Sequence, residues 1–261
     1  MTLCKVVLKN GELISRGQKA HLGLEGCEAP GTLVVANSLR SLRVGDRFEF
    51  GEIGFLVLAI NWMPGDEGKA STPLYLVEAM ADVPAGEREF TVTRKGYSLA
   101  WVTLSDKGAA GKRTDESGPL IGKLVDEQLG LGRVQGFIIP DEPKQLKGLL
   151  VDLALNQGFD LIMTTGGTGV GPRDITPEAT LSVIEKRLPG YERAMTAASL
   201  QKTPHGAISR AVAGTLGNAL IVNMPGSPKA VAECLEPLLP TLKHTLEKLQ
   251  GDPSDCAVLR K

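Results

Sequence analysis

Metal-cluster and disulfide chemistry are poorly provided for in this chain. Its four cysteines are Cys4, Cys27, Cys234 and Cys256, and its three histidines are His21, His205 and His244. No two cysteines form a CxxC pair, and no histidine stands at ligand spacing from them, which excludes an ordinary structural zinc site. A disulfide framework is not expected in a chain of this length, and a reducing, cytoplasmic compartment fits such cysteine usage. Aromatic residues make up only 4% of the 261 residues, which argues against an aromatic-rich β-sandwich. No apolar run approaches the ~20 residues that span a bilayer. The opening MTLCKVVLKNGE has no signal-peptide core. The formal net charge of −1 gives no global field to attract nucleic acid or an anionic membrane.

What is plentiful is glycine, at 31 residues, set in a chain that is 42% hydrophobic and 23% charged. This suits a folded α/β protein with many tight turns. The length allows one large domain or two ordinary ones. The character of the sequence changes near residue 95. Residues 1–94 read as short β segments: Lys5–Leu8, Thr32–Ala36, Arg47–Phe50, Gly54–Ile60, Leu74–Glu78 and Glu89–Thr93. Turn signals separate them at Asn10-Gly11, Pro30-Gly31, Val44-Gly45-Asp46 and Pro64-Gly65-Asp66. The expectation is a small, mostly β domain without a catalytic constellation.

Residues 95–261 alternate instead between strand and helix patterns. Strands are expected at Leu99–Leu104, Val134–Ile139, Asp160–Thr165, Ile208–Gly214 and Ala219–Met224. Helices are expected at Gly118–Leu129, Pro143–Gln157, Thr176–Leu188, Tyr191–Leu200 and Ser227–Leu249, the last kinked or divided at Pro240. Such alternation implies an α/β fold: a mainly parallel sheet covered on both faces, a three-layer αβα domain.

In such sheets ligands bind beyond the carboxyl ends of the strands. The strongest local signal lies there: Thr164-Thr165-Gly166-Gly167-Thr168-Gly169-Val170-Gly171 directly follows a buried strand. Its glycines let backbone N–H groups approach a phosphate, and its threonines add hydroxyls. It is neither a Walker A loop nor a dinucleotide fingerprint. Arg173-Asp174 follows, then Thr176-Pro177-Glu178, with Thr176 as the expected N-cap and Pro177 as the first helical residue. Asp174 beside phosphates would suit Mg²⁺, and so would Asp141 in Ile139-Pro140-Asp141-Glu142 at the end of the preceding strand. Asn223-Met224-Pro225-Gly226-Ser227-Pro228-Lys229 joins a strand to the closing helix, with Ser227 as N-cap; its helix start and Lys229 suit an anion. Ser209-Arg210 adds a hydroxyl and a guanidinium. Ser105-Asp106-Lys107-Gly108 and Asp115-Glu116-Ser117-Gly118-Pro119 flank a polar stretch on the same rim, a lid or a plain surface loop. Each motif alone also reads as a capped helix or a tight turn.

In this order, the motifs resemble the molybdopterin-binding domain family over about Tyr97–Leu249. Within it they are most similar to the MogA-like branch and the G domain of gephyrin-type proteins. The resemblance implies a homotrimeric α/β enzyme that transfers AMP from Mg-ATP to the terminal phosphate of molybdopterin and releases pyrophosphate. The product would pass to a molybdate insertase. By motif, Asp141 and Asp174 would be the essential, magnesium-holding carboxylates. Ser105, Asp106, Gly166, Gly167, Thr168 and Gly169 would lie on the nucleotide side. Ser209, Arg210, Asn223, Pro225, Gly226, Ser227 and Lys229 would shape the site of the pterin and its phosphate. Val170-Gly171-Pro172 departs from many MogA-like loops and is similar to the insertase branch. Two alternatives are therefore molybdate insertion into adenylylated molybdopterin and a non-catalytic pterin-binding scaffold. The resemblance does not extend to residues 1–94.

Overall fold

The computed structural model describes residues 2–24, 32–35, 42–65, 68 and 70–253. The expected turn at Pro30-Gly31, the strand end Ala36, Asp66, Cys27 and Cys256 lie outside the described residues. The chain divides into two units, Met1–Gly96 and Tyr97–Lys261.

The first unit contains β1 (Thr2–Asn10), β2 (Lys19–Leu24), β3 (Thr32–Val35), β4 (Arg47–Phe50), β5 (Ile53–Met63), β6 (Thr72–Ala79) and β7 (Gly86–Thr93). They close into a barrel in the order β1-β3-β2-β6-β5-β4-β7. Closure gives each strand a neighbour on both sides, so no edge is left to template aggregation. Phe48, Phe55 and Phe90 fill the interior, the last two with ring centroids 5.8 Å apart. Gly54 is needed where β5 crosses close to β4, because a Cβ there would lie 2.2 Å from the Phe48 carbonyl oxygen. Asp46 is fully buried in the turn before β4. It accepts from Arg94 Nε at 2.6 Å and from the Arg43 N–H at 2.9 Å, which satisfies a charge that would otherwise be costly. β2 was not expected: Lys-Ala-His-Leu-Gly-Leu lacks the β-branched alternation that marks a strand, and pairing with β3 and β6 defines it.

The second unit is the α/β domain. Its elements are β8 (Ser98–Leu104), α1 (Asp106–Ala109), α2 (Ser117–Leu129), β9 (Arg133–Ile139), α3 (Pro143–Val151), β10 (Leu161–Thr165), α4 (Thr176–Leu181), β11 (Lys186–Arg187), α5 (Pro189–Leu200), β12 (Ala213–Leu216), β13 (Ala219–Met224), α6 (Pro228–Leu235) and α7 (Leu239–Leu249). The sheet order is β11-β12-β13-β10-β8-β9. β13, β10, β8 and β9 run parallel, and β12 and β11 are antiparallel additions. β10 and β13 are buried along their whole length, as central parallel strands must be. Leu99, Leu161, Met163, Leu220 and Val222 form one core with Ile121 and Val125 of α2 and Leu235, Leu242 and Leu246 of the closing helices.

Four boundaries differ from the sequence expectation. The helix from Thr176 stops at Leu181 rather than Leu188. The Ser182 hydroxyl bonds back to the Ala179 carbonyl, and the Glu185 and Leu188 N–H groups bond to Thr215 and Ala213, drawing Lys186-Arg187 into the sheet. The strand expected from Ile208 starts only at Ala213, because Pro204–Ile208 coils into a 3₁₀ turn. The closing helix is divided as expected, but the break falls at residues 236–238, ahead of Pro240: Pro237 has no N–H to continue α6, and Pro240 sits in the first turn of α7. The helix from Pro143 widens after Val151, with Gln157 N–H bonded to the Asp152 carbonyl at 2.8 Å.

Candidate active site

The carboxyl ends of β8, β9, β10 and β13 meet at one rim. Beyond it lies a cleft of ≈ 650 Å³ lined by Ser105 after β8, Asp141 after β9, Gly166 and Gly167 after β10, and Gly226 and Ser227 after β13. Asp174 joins them from the end of the glycine loop. Seven of the fifteen residues expected to be catalytic or ligand-binding therefore face one space: Ser105, Asp141, Gly166, Gly167, Asp174, Gly226 and Ser227.

Local chemistry fixes this rim. Gly166 and Gly167 have φ of +97° and +63°, a region that side chains avoid. A Cβ on Gly166 would lie 2.6 Å from the Leu104 carbonyl oxygen, and one on Gly167 2.5 Å from Thr176 Oγ1. Thr176 does not cap α4 as expected. Its hydroxyl donates to the Gly166 carbonyl at 2.8 Å and its N–H to that of Gly167 at 3.1 Å, so it ties the helix start to the loop. Ser227 does cap α6, accepting from Ala230 N–H at 3.3 Å. Ser117, at the start of α2, donates to the Gly226 carbonyl at 3.0 Å.

The acidic groups differ in state. Asp106 and Asp141 exchange bonds, each backbone N–H donating to the other's carboxylate at 3.1 Å. Arg173 forks onto Asp106 at 2.8 Å and reaches Glu142 at 3.0 Å. The Arg173 guanidinium holds the Asp106 carboxyl below the usual carboxylate range, helped by the bond from Asp141 N–H. Burial pushes the Asp141 carboxyl up, and the negative charges of Asp106 and Asp174 add to the rise; the bond from Asp106 N–H opposes it. Asp174 accepts from Gly171 N–H at 2.7 Å. Among the described residues, neither Asp141 nor Asp174 is in an ion pair.

The remaining expected residues lie elsewhere. Thr168, Gly169, Ser209 and Pro225 line a separate hollow of ≈ 300 Å³, to which Ser227 also contributes. Arg210 borders a third hollow, of ≈ 520 Å³, and directs its guanidinium to protein acceptors. Asn223 is fully buried; its amide donates to Thr164 Oγ1 at 3.0 Å and Thr180 Oγ1 at 2.9 Å, so it faces no cleft. The Lys229 side chain is 87% exposed and leans toward Glu233. Asp106 borders the main cleft through its bonds to Asp141 rather than lining it.

Sequence reasoning missed the part played by Asp115. Its carboxylate accepts from Thr103 Oγ1 at 2.7 Å and from the N–H groups of Ser117 and Gly118 at 3.1 Å, so it caps α2 at the cleft wall. The Asp-x-x-Gly-Pro spacing carried that signal. Trp101 of β8 lies beneath the same turn. A Cβ at Gly118 or Gly136 would come within 2.3 or 1.9 Å of its ring, so both glycines make room for the indole.

Residues 100–244 match the family described as "Probable molybdopterin binding domain". The chain belongs to the molybdopterin-binding domain family. Its relatives in that family include the molybdopterin adenylyltransferase of Helicobacter pylori, 37% identical over 153 residues, which are 58% of this chain and 86% of that protein. They also include the molybdenum cofactor synthesis protein cinnamon of Drosophila melanogaster, 39% identical over 160 residues; the match spans 61% of this chain but only 26% of cinnamon. Among solved structures, the molybdopterin biosynthesis enzyme MoaB of Thermus thermophilus aligns with a TM-score of 0.55 and 41% identity, covering 61% of this chain and 99% of that one. The family match thus falls on the α/β unit and begins inside β8. Among the described residues, no helix is long and apolar enough to cross a membrane, and no group of three or more His, Cys, Asp or Glu stands ready as a complete metal site.

Proposed function

We propose that this protein acts in molybdenum cofactor biosynthesis as a molybdopterin adenylyltransferase. It would transfer AMP from ATP to the terminal phosphate of molybdopterin and release pyrophosphate. The observation that carries the reading is the convergence of Asp141, Asp174 and the Gly166–Gly167 backbone on one cleft, in a chain of this family. The presence of both carboxylates favours catalysis over a non-catalytic pterin scaffold, and the 37% identity to an adenylyltransferase favours it over molybdate insertion.

The chemistry follows from charge. The pterin phosphate attacks the α-phosphorus of ATP, so one anion must approach another. Backbone N–H groups of the glycine loop beyond Gly166, whose own N–H donates to the Met224 carbonyl at 3.2 Å, would offset part of that repulsion. Asp141 and Asp174, which form no ion pair among the described residues, offer oxygen donors that suit Mg²⁺; this ion is commonly held by one or two carboxylates, with phosphates and waters completing the shell. When bound, Mg²⁺ would neutralise phosphate charge. Asp106 would orient Asp141 through their paired backbone bonds, and Arg173 would keep Asp106 charged. Gly226 and Ser227 line the main cleft, and Ser209 and Pro225 line the adjacent hollow; these residues would serve the pterin side. We further read residues 1–94 and 95–261 as separate domains, the protein as a cytoplasmic homotrimer, and a molybdate insertase as the recipient of the product.

Purified protein incubated with molybdopterin, ATP and Mg²⁺ is expected to yield adenylylated molybdopterin and pyrophosphate in equal amounts. Binding of both substrates without product would overturn the proposal. Light scattering tests the trimer.

A further inference from the structure

We propose that Arg210 is a positioning residue that sets the place of the Asp174 carboxylate, rather than a ligand of the pterin phosphate. This rests on the adenylyltransferase reading for the role of Asp174, but not for the geometry.

The Arg210 guanidinium is committed on all sides. Nε donates to the Gly169 carbonyl at 2.7 Å, and Nη2 donates to the Asp174 carbonyl at 2.7 Å. Nη1 pairs with Glu178 of α4. The backbone N–H of Arg210 donates to the Thr168 carbonyl at 2.9 Å. One residue therefore joins the outgoing arm of the glycine loop, at Thr168 and Gly169, to its returning arm at Asp174. A loop with glycine at 166, 167, 169 and 171 has much conformational freedom to lose, and such cross-ties hold it in one shape.

The tie bears directly on the carboxylate. A Cβ on Gly169 would lie 2.7 Å from Asp174 Oδ2, and one on Gly171 3.0 Å from the same oxygen. The carboxylate thus rests on the backbone that Arg210 holds, and Gly171 N–H bonds it there at 2.7 Å. Moving Gly169 relative to Asp174 would shift the surface on which that oxygen sits. Arg suits the task because its planar fork can donate to two carbonyls and a carboxylate at once, which a lysine ammonium on a flexible stem does not reproduce.

The test compares Arg210→Met and Arg210→Lys with the wild-type full chain. The measurements are AMP transfer at varied Mg²⁺ and varied molybdopterin, Mg-ATP binding by calorimetry, and thermal melting. A positioning role predicts that Arg210→Met lowers kcat roughly 100-fold, the scale of a 1 Å misplacement. It also predicts a higher half-saturating Mg²⁺ concentration and an unchanged KM for molybdopterin. Arg210→Lys should recover only part of the loss. A rise in molybdopterin KM with unchanged Mg²⁺ dependence would assign Arg210 to the pterin phosphate and overturn the proposal. So would wild-type kinetics in either variant. If Arg210→Met does not fold, the same Mg²⁺ and molybdopterin dependences of Arg210→Lys decide. If the wild type binds Mg-ATP but transfers no AMP, the functional reading fails; weakened Mg²⁺-dependent binding of ATP in the variants would then support the clamp, and unchanged binding would refute it.

Discussion

Asp141 holds its carboxyl in a partly buried corner against two other acidic groups. Its proton affinity is raised in the folded state, so between the ordinary carboxylate range and that raised value the native protein binds more protons than the unfolded chain. Stability then falls as pH rises through this window, and above it the ionised group opposes folding. Asp141→Asn should therefore abolish AMP transfer yet melt no lower than the wild type near neutral pH. Its advantage should vanish once acid protonates the wild-type carboxyl. Melting curves across pH check this, and a variant clearly less stable at neutral pH would contradict it. Asp106 has the opposite sign: its lowered proton affinity contributes stability above the ordinary range, which is lost as pH falls through the lowered value. Asn223 is a stability residue by its placement. Asn223→Ala leaves the buried hydroxyls of Thr164 and Thr180 without its amide and should cost about 1–3 kcal/mol in denaturant unfolding.

Among the elements, the parts most visible in the sequence are those set by local chemistry. β13 (Ala219–Met224) is an almost wholly apolar run, and α6 begins with a serine and a proline where a helix start needs them. Ser227→Ala should weaken that start by about 1 kcal/mol, read as a lowered melting temperature. The parts that were not visible depend on distant partners. Lys186-Arg187 carries no strand signal and becomes β11 only because β12 offers its edge. Thr176 looks like a cap from its neighbours Pro177 and Glu178, yet the Gly166 carbonyl comes close enough to take its hydroxyl. The candidate site shows the same division. Asp141, Asp174, Gly166 and Gly167 lie in the segments that follow strands and were legible from strand ends. Arg210 and Asn223 were legible as polar residues near the rim, but the direction of their side chains was settled by acceptors in other segments. Asp115 hid inside a polar stretch that reads equally well as a surface loop.

At the scale of the whole molecule, the family match and the core around Leu161 and Val222 both lie in the unit from Tyr97 onward. Residues 97–261 expressed alone are expected to fold cooperatively and to bind Mg-ATP as the full chain does. A fragment that binds ATP markedly more weakly would give the barrel a part in the site. The barrel itself was legible as β structure from its turns, but its closure was not, because β2 lacks strand alternation and closure is a property of seven strands together. The chain has two tryptophans, one in each unit. Trp62, on the barrel, is 60% exposed and should emit at the long wavelengths of an indole in water. Trp101, wedged between Gly118 and Gly136 under the Asp115 turn, should emit further to the blue. The Asp115 turn lines the cleft and Trp101 lies beneath it, so filling the cleft should shift the blue component, and the protein carries its own optical reporter of occupancy.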